Sequence, residues 1–157
     1  SKFRDKLKDW NIQEKYYEEE MKHAKDNNVF KWSIFLKETG ECIGRISCHE
    51  ATSENSEITD SNIRGVGWII DPKYQSRGYG TEASKAMIDF MFLECKIAKI
   101  ITGAAICNPA SWKIMEKSGF ERKKETKTIQ YTFLDEPTEI YCYELTRDKY
   151  LLFNKNS

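Results

Sequence analysis

Residues 63–91 bring a strand, a proline stop, a glycine-bearing loop and a helix into direct succession. Ile63-Arg64-Gly65-Val66-Gly67-Trp68-Ile69-Ile70-Asp71 reads as a strand, and Pro72 stops it. Gln75-Ser76-Arg77-Gly78-Tyr79-Gly80 follows as a loop. Beyond it Ala83, Ala86, Met87, Phe90 and Met91 recur at the spacing of an amphipathic helix, and no Gly or Pro interrupts 81–102. Such a loop can turn several backbone N–H groups toward one point, where the helix dipole adds partial positive charge. Gly78 and Gly80 would remove side chains that obstruct a phosphate, or supply φ > 0. On the loop alone two readings stand, a pyrophosphate cradle and a plain strand-to-helix turn. It is not a P-loop, since no Gly-Lys-Ser/Thr follows, and it is not a dinucleotide fingerprint.

The remaining pattern sets this unit inside a mixed α/β sheet. Ile12, Tyr16 and Ala24, with Met21 near the same stripe, predict a helix over roughly 11–25, ended by Asp26-Asn27-Asn28. Residues 29–36 and 42–48 predict a hairpin turning at Lys37-Glu38-Thr39-Gly40-Glu41. The polar stretch 51–62 reads as a loop and as the best candidate for a mobile segment. Residues 98–107 are apolar enough for a central strand. Asn108-Pro109 opens a second helix, with Asn a preferred cap and Pro suited to the first position, and Gly119 closes it as a left-handed cap. Strands over about 120–134 and 138–146 finish the sheet, and 147–157 forms at most a short turn of helix. The order α, β-hairpin, β, α, β, α, β, β predicts one domain over 1–157, a mixed sheet with helices on its faces.

Composition narrows the function classes. Lys+Arg and Asp+Glu are 25 each, and zero net charge argues against a nucleic-acid binder that works by broad phosphate neutralisation. No apolar run approaches the roughly 18 residues of a membrane span, and no signal peptide opens the chain. The five cysteines, Cys42, Cys48, Cys95, Cys107 and Cys142, are widely spaced without a C-x-x-C pair, and His23 and His49 are the only histidines. That pattern favours free thiols in a reducing cytoplasm over a disulfide framework or a metal site.

The run Val66 to Ala83 resembles the acyl-CoA loop of the GCN5-related N-acetyltransferases (GNAT), which carry Gln/Arg-x-x-Gly-x-Gly/Ala just after a strand that ends in proline. Asn108-Pro109-Ala110-Ser111 and Glu116-Lys117-Ser118-Gly119-Phe120 resemble a block of the branch that acetylates ribosomal-protein N-termini, and Gly78-Tyr79-Gly80-Thr81-Glu82-Ala83 suits the same branch. The resemblance covers about residues 29–150. It implies the acyl-CoA N-acyltransferase fold, a mixed, mostly antiparallel sheet with a splayed central strand pair and helices on both faces. It implies acetyl-CoA as co-substrate, an amine acceptor and no metal. Backbone groups of Ile69, Ile70 and Asp71 would hold the pantetheine arm, with the Ile70 N–H toward the thioester carbonyl. Gln75, Ser76, Arg77, Gly78, Tyr79, Gly80 and Thr81 would hold the pyrophosphate. Asn108 would bond the pantetheine, and Ser111 would lie near the sulfur. Asn108 could equally serve only as a cap, Arg77 as a surface charge and Glu116-Lys117 as an exposed pair. Trp68 and Trp112 are read as packing.

Two departures bear on catalysis. Many relatives carry a Glu base on the splayed strand, where this chain has Gly65, and a Tyr acid seven residues past the Asn, where it has Met115. The second departure is shared by the ribosomal-protein branch. His49 and Glu50, ending the neighbouring strand, are candidate bases, and Ser111 is a candidate donor to the thiolate. Cys107 is read as a strand-end core thiol. Deprotonating a lysine-type amine at pH 7 costs roughly 4–5 kcal/mol, and an α-amine only about 1 kcal/mol. A weak base therefore favours α-amines, and the expected activity is acetyl transfer to an α-amino group of a protein or peptide. A small polyamine or aminoglycoside acceptor is the alternative, favoured by carboxylates at Glu54, Glu57 and Asp60. A non-catalytic acyl-CoA-binding module is the third reading. The family usually opens with a strand before the segment at 11–25. Here none precedes it, and the first residue is not Met, so the chain reads as shortened at its N-terminus. The strand over 29–36 would then be an exposed edge, inviting a homodimer.

Overall fold

The computed structural model describes residues 29–53, 56–57, 60, 62–130 and 134–155. The helix expected over 11–25 lies outside them. Phe30–Phe35 (β1) and Cys42–Glu50 (β2) form the expected hairpin. The stretch read as loop contains a ribbon of two-residue strands, Thr52–Ser53 (β3) and Ser56–Glu57 (β4). Two residues are too few for a period-two pattern to register in sequence.

Ile63–Ile70 (β5) ends at a 3-10 turn, Pro72–Tyr74, and Tyr79–Leu93 (α1) begins two residues earlier than expected. Lys99–Ala105 (β6), Pro109–Lys117 (α2), Glu121–Ile129 (β7) and Thr138–Thr146 (β8) follow. The tail expected as a short turn is the nine-residue helix Arg147–Lys155 (α3). Among the described residues the six main strands are ordered β1-β2-β5-β6-β8-β7, with β1 and β7 at the two ends, and only β5 and β6 run parallel.

One face of the sheet carries the core. Ile46, Cys48 and Val66 meet Met87, Ile88, Met91 and Phe92 of α1, Met115 of α2 and Tyr150 of α3 in a single cluster, so all three described helices share that face. The buried stripe of α1 is Gly80, Ser84, Met87, Ile88, Met91 and Phe92. Met87 and Met91 keep their expected place, Ala86 is exposed, and Phe90 sits at the margin with its ring 5.3 Å from that of Phe30 and 5.2 Å from that of Trp32. Apolar residues at 86–88 and 90–93 surround this helix, so its phase was ambiguous in sequence. Packing resolves it by burying Ser84, whose Oγ accepts from Ser118 Oγ at 3.4 Å. Gly119, at φ 92°, closes α2 as expected, with the Phe120 N–H returning to the Met115 carbonyl at 3.1 Å. The core thiol is Cys48, which burial pushes up to about 12; Cys107 is exposed in the turn after β6. No described helix is long and apolar enough to cross a membrane.

Candidate active site

β5 and β6 part company after three residues. They pair at Ile63↔Lys99, Arg64↔Ile100 and Gly65↔Ile101, yet β5 runs on to Ile70 and β6 to Ala105. At the point of divergence Thr102 Oγ1 donates to the Val66 carbonyl at 2.8 Å, so a side chain takes an acceptor that the ladder no longer uses. On its other side β5 stays paired with β2 up to Gly44↔Ile70. The Asp71 N–H donates to the Ile43 carbonyl at 2.7 Å, which sets the phase. Odd-numbered residues of β5 turn their backbone groups to β2, while Trp68 and Ile70 turn theirs into the opening. The Trp68 backbone groups and the Ile70 N–H can pair with the amides of an extended arm as a missing strand would.

The opening leads to a cavity of about 500 Å³. Its walls are Trp68, Ile69 and Ile70 of β5, then Tyr74, Gln75, Ser76, Gly78, Gly80 and Thr81, and one side of α2 from Asn108 to Lys117; Arg77 and Tyr79 are not among them. Ser76 and Gly78 both adopt positive φ, 61° and 87°, a backbone form that lets successive amides converge on one point. Gly78 occupies the cap position of α1, so no side chain satisfies the helix end. The first intrahelical bond runs from the Glu82 N–H to the Gly78 carbonyl, leaving the amides of Tyr79, Gly80 and Thr81 without intrahelical acceptors. Lys113 and Lys117, one turn apart on α2, line the same cavity. Free amides, a helix N-terminus and two ammonium groups are a donor set suited to a diphosphate. α2 lies close over the first turn of α1, since a Cβ on Gly80 would come 2.6 Å from Ile114 Cδ1.

The expected cofactor residues divide by what already occupies them. Asn108 sits at the cap of α2 but makes no side-chain cap bond, and it lines the cavity, as does Ser111. Gln75 folds back, with Nε2 donating to the Ile70 carbonyl at 3.0 Å; it braces the strand end. Asp71 spends its amide on Ile43 and accepts from the Lys73 N–H at 2.9 Å. Ile69 is 59% exposed on the face away from the core, its amide phased toward β2. Arg77 is exposed, its guanidinium 5.5 Å from the centre of the Tyr74 ring. The Tyr74 hydroxyl donates to Glu41 Oε2 at 2.6 Å, a bond that pushes the phenol up.

Both tryptophans pack as expected. Trp112 donates Nε1–H to the Ile106 carbonyl at 3.1 Å and lies against the Arg122 guanidinium. Trp68 also lines the cavity, and its buried Nε1–H has no acceptor among the described residues. Of the candidate bases, His49 is exposed and faces Gly65 across the β2–β5 ladder, whereas Glu50 is half-buried opposite Arg64 on the core side. Sequence reading missed Thr102, Lys113 and Lys117. The lysines carried a signal, an i, i+4 cationic pair behind Asn108-Pro109, but Thr102 looked like any polar residue in an apolar strand.

The chain matches the acetyltransferase (GNAT) domain family over residues 2–121. It is 28% identical over 99 residues to the uncharacterized N-acetyltransferase YnaD of Bacillus subtilis, covering 63% of this chain and 54% of that protein. With YnaD and a second Bacillus subtilis relative at 59%, the chain spans little more than half the length of such relatives. Among solved structures, a variant of spermidine N-acetyltransferase SpeG from Vibrio cholerae superposes with a TM-score of 0.70 at 19% identity, over 92% of this chain and 79% of that one. The ribosomal-protein-S5-alanine acetyltransferase of Vibrio fischeri superposes at 0.69 and 21% identity, over 83% and 68%. At these identities the two structures speak for the fold.

Proposed function

The chain belongs to the GNAT acetyltransferase family, and we propose that it moves an acetyl group from acetyl-CoA to a primary amine, the α-amino group of a protein or peptide. The observation that carries this reading is the wedge between β5 and β6, whose wide end meets the uncapped N-terminus of α1. The amides of Ser76 to Thr81, with Lys113 and Lys117, would hold the diphosphate. The backbone of Trp68 and Ile70, with Asn108, would hold the pantetheine arm in the opening. A fixed N–H in that opening would meet the charge that develops on the thioester oxygen during attack. The Ser111 hydroxyl, in the first turn of α2, would supply a proton to the departing thiolate.

The acceptor class follows from the carboxylate that β5 does not carry. With Gly65 in the strand, β5 offers no carboxylate to take the proton, and an α-amine needs less help than a lysine side chain. Among the carboxylates that would attract a polyamine, Asp60 accepts from the Asn62 N–H at 2.9 Å, and Glu54 lies outside the described residues.

Free coenzyme A thiol released from acetyl-CoA tests both levels. The panel is a peptide with a free α-amine, the same peptide Nα-blocked with one lysine, spermidine and kanamycin. The α-amine peptide is expected to react fastest at pH 7. Equal rates for the two peptides overturn the acceptor class. Coenzyme binding without thiol release from any amine leaves a binding module and overturns the enzyme.

A further inference from the structure

We propose that His49 is the general base of the transfer, its Nε2 receiving the proton that the attacking amine loses. This rests on the acetyl-transfer reading and adds the group that the reading lacks.

The placement comes from one ladder pair. His49 and Gly65 are direct partners between β2 and β5, and Gly65 is also the last residue of β5 that pairs with β6. The imidazole therefore stands beside the narrow end of the wedge, where an arm entering from the α1 loop terminates. It lies across the Gly65 backbone: a Cβ on residue 65 would come 2.3 Å from Cε1 and 2.6 Å from Nδ1. Any side chain at 65 would displace the ring. Glycine and histidine thus exclude other arrangements together, and the imidazole takes the space that a side chain on β5 would fill. A Cβ on Gly67 would lie 3.7 Å from Nε2, so the ring extends along β5 toward the opening.

The hydrogen bonding decides which nitrogen is basic. Nδ1 lies 2.9 Å from the Glu50 carbonyl. A carbonyl only accepts, so the neutral ring carries its proton on Nδ1 and leaves the Nε2 lone pair free. His49 is exposed, which lets the proton pass on to solvent. β5 contributes Ile63, Gly65, Gly67 and Ile69 to this face, none of them ionisable. Among the described strands, the charged side chains that share the face are Lys31 of β1, Arg45 of β2, Lys99 of β6, Glu144 of β8, held by Lys123 at 2.9 Å, and Lys127 and Glu121 of β7, Glu121 held by Lys149 at 3.2 Å. No described carboxylate on this face stands nearer in the ladder to compete for the role.

The step balances. The amine lone pair forms the N–C bond to the acetyl carbon, and the C–S bond breaks with its pair on sulfur. The amine proton moves to Nε2 and then to water, and the thiolate takes a proton to leave as free thiol.

The test joins kinetics to a measurement on the unliganded protein. His49→Gln should lower kcat/KM for the α-amine peptide by about 100-fold or more. Coenzyme A affinity by calorimetry should stay unchanged. Long-range proton–nitrogen NMR spectra of the wild type should show the neutral His49 ring protonated at Nδ1. Gly65→Ala should shift those ring signals and slow transfer while the protein stays folded. Wild-type kcat/KM in His49→Gln, a proton on Nε2 in the neutral ring, or a parallel loss of coenzyme affinity each overturns the assignment. A wild type inert toward every amine overturns the acetyl-transfer reading itself, a result distinct from the other three.

Discussion

Gly44 occupies the tightest crossing beside the opening. A Cβ there would stand 2.3 Å from the Ile69 carbonyl oxygen and 3.1 Å from the Ile70 Cα. Both are backbone atoms, so no rotamer change relieves the contact, and the end of β5 must move. Gly44→Ala is expected to cost about 1–3 kcal/mol of stability, the usual range for overpacking. It should also weaken coenzyme binding, because the displaced residue is the one whose N–H faces the cavity. Urea titration and calorimetry check the two effects, and a variant matching wild type in both removes the role given to this glycine. In sequence, Gly44 was an unremarked glycine in a strand. The motif residues were legible in part: type and spacing gave Asn108 two roles, and the structure shows it without a side-chain cap bond and in the cavity wall. Gln75 had the motif's identity, but its side chain braces a strand end, a contact that no spacing encodes.

At the scale of elements, α3 had the weakest sequence signal and has one of the clearest attachments. Tyr150 stacks on Phe92 with ring centres 4.7 Å apart, and its hydroxyl donates to Asp89 Oδ1 at 2.6 Å. Arg147 donates to the Phe92 carbonyl at 2.7 Å. These partners lie more than fifty residues upstream, beyond the reach of any local pattern. Burial, then the bond to Asp89, pushes the Tyr150 phenol up to about 12. A phenol raised in the folded state stabilises fully below its unfolded value near 10 and loses that contribution as pH rises toward 12. Thermal melts between pH 9 and 12 should therefore show a falling midpoint, and Tyr150→Phe should flatten it. Part of the slope should survive, since the Cys48 thiol is raised to a similar value. An equally steep fall in Tyr150→Phe counts against the anchoring of α3. The strands were legible because alternation and turn residues mark them locally. The phase of α1 was not, because its apolar residues cover more than one face and only the sheet beneath selects among them.

Across the whole molecule, the sheet consists of two three-stranded halves, β1-β2-β5 and β6-β8-β7, joined by three residue pairs. Sequence could not order these strands, since partners such as Gly65 and Ile101 are brought together only when α1 packs behind them. A ligand that pairs with the backbone of Trp68 and the Ile70 N–H adds bonds across the gap and binds only the folded state. Coenzyme A at 100 times its dissociation constant should add about 2.7 kcal/mol of stability. For a chain of this size that raises the melting midpoint by about 5–10 °C. Hydrogen exchange should slow at the Trp68 and Ile70 amides as well as in the loop from Ser76 to Gly80. Slowing confined to the loop would place the arm outside the opening.

The Thr102 hydroxyl on the Val66 carbonyl works as a rivet where the seam begins. Because the crack stops there, its depth is set by the protein and not by whatever enters it. An extended arm entering from the α1 loop would meet the Gly65–Ile101 joint at the closed end. The seam is therefore a ruler: on the proposed acetyl-transfer reading, the protein itself would set how far an extended arm can enter.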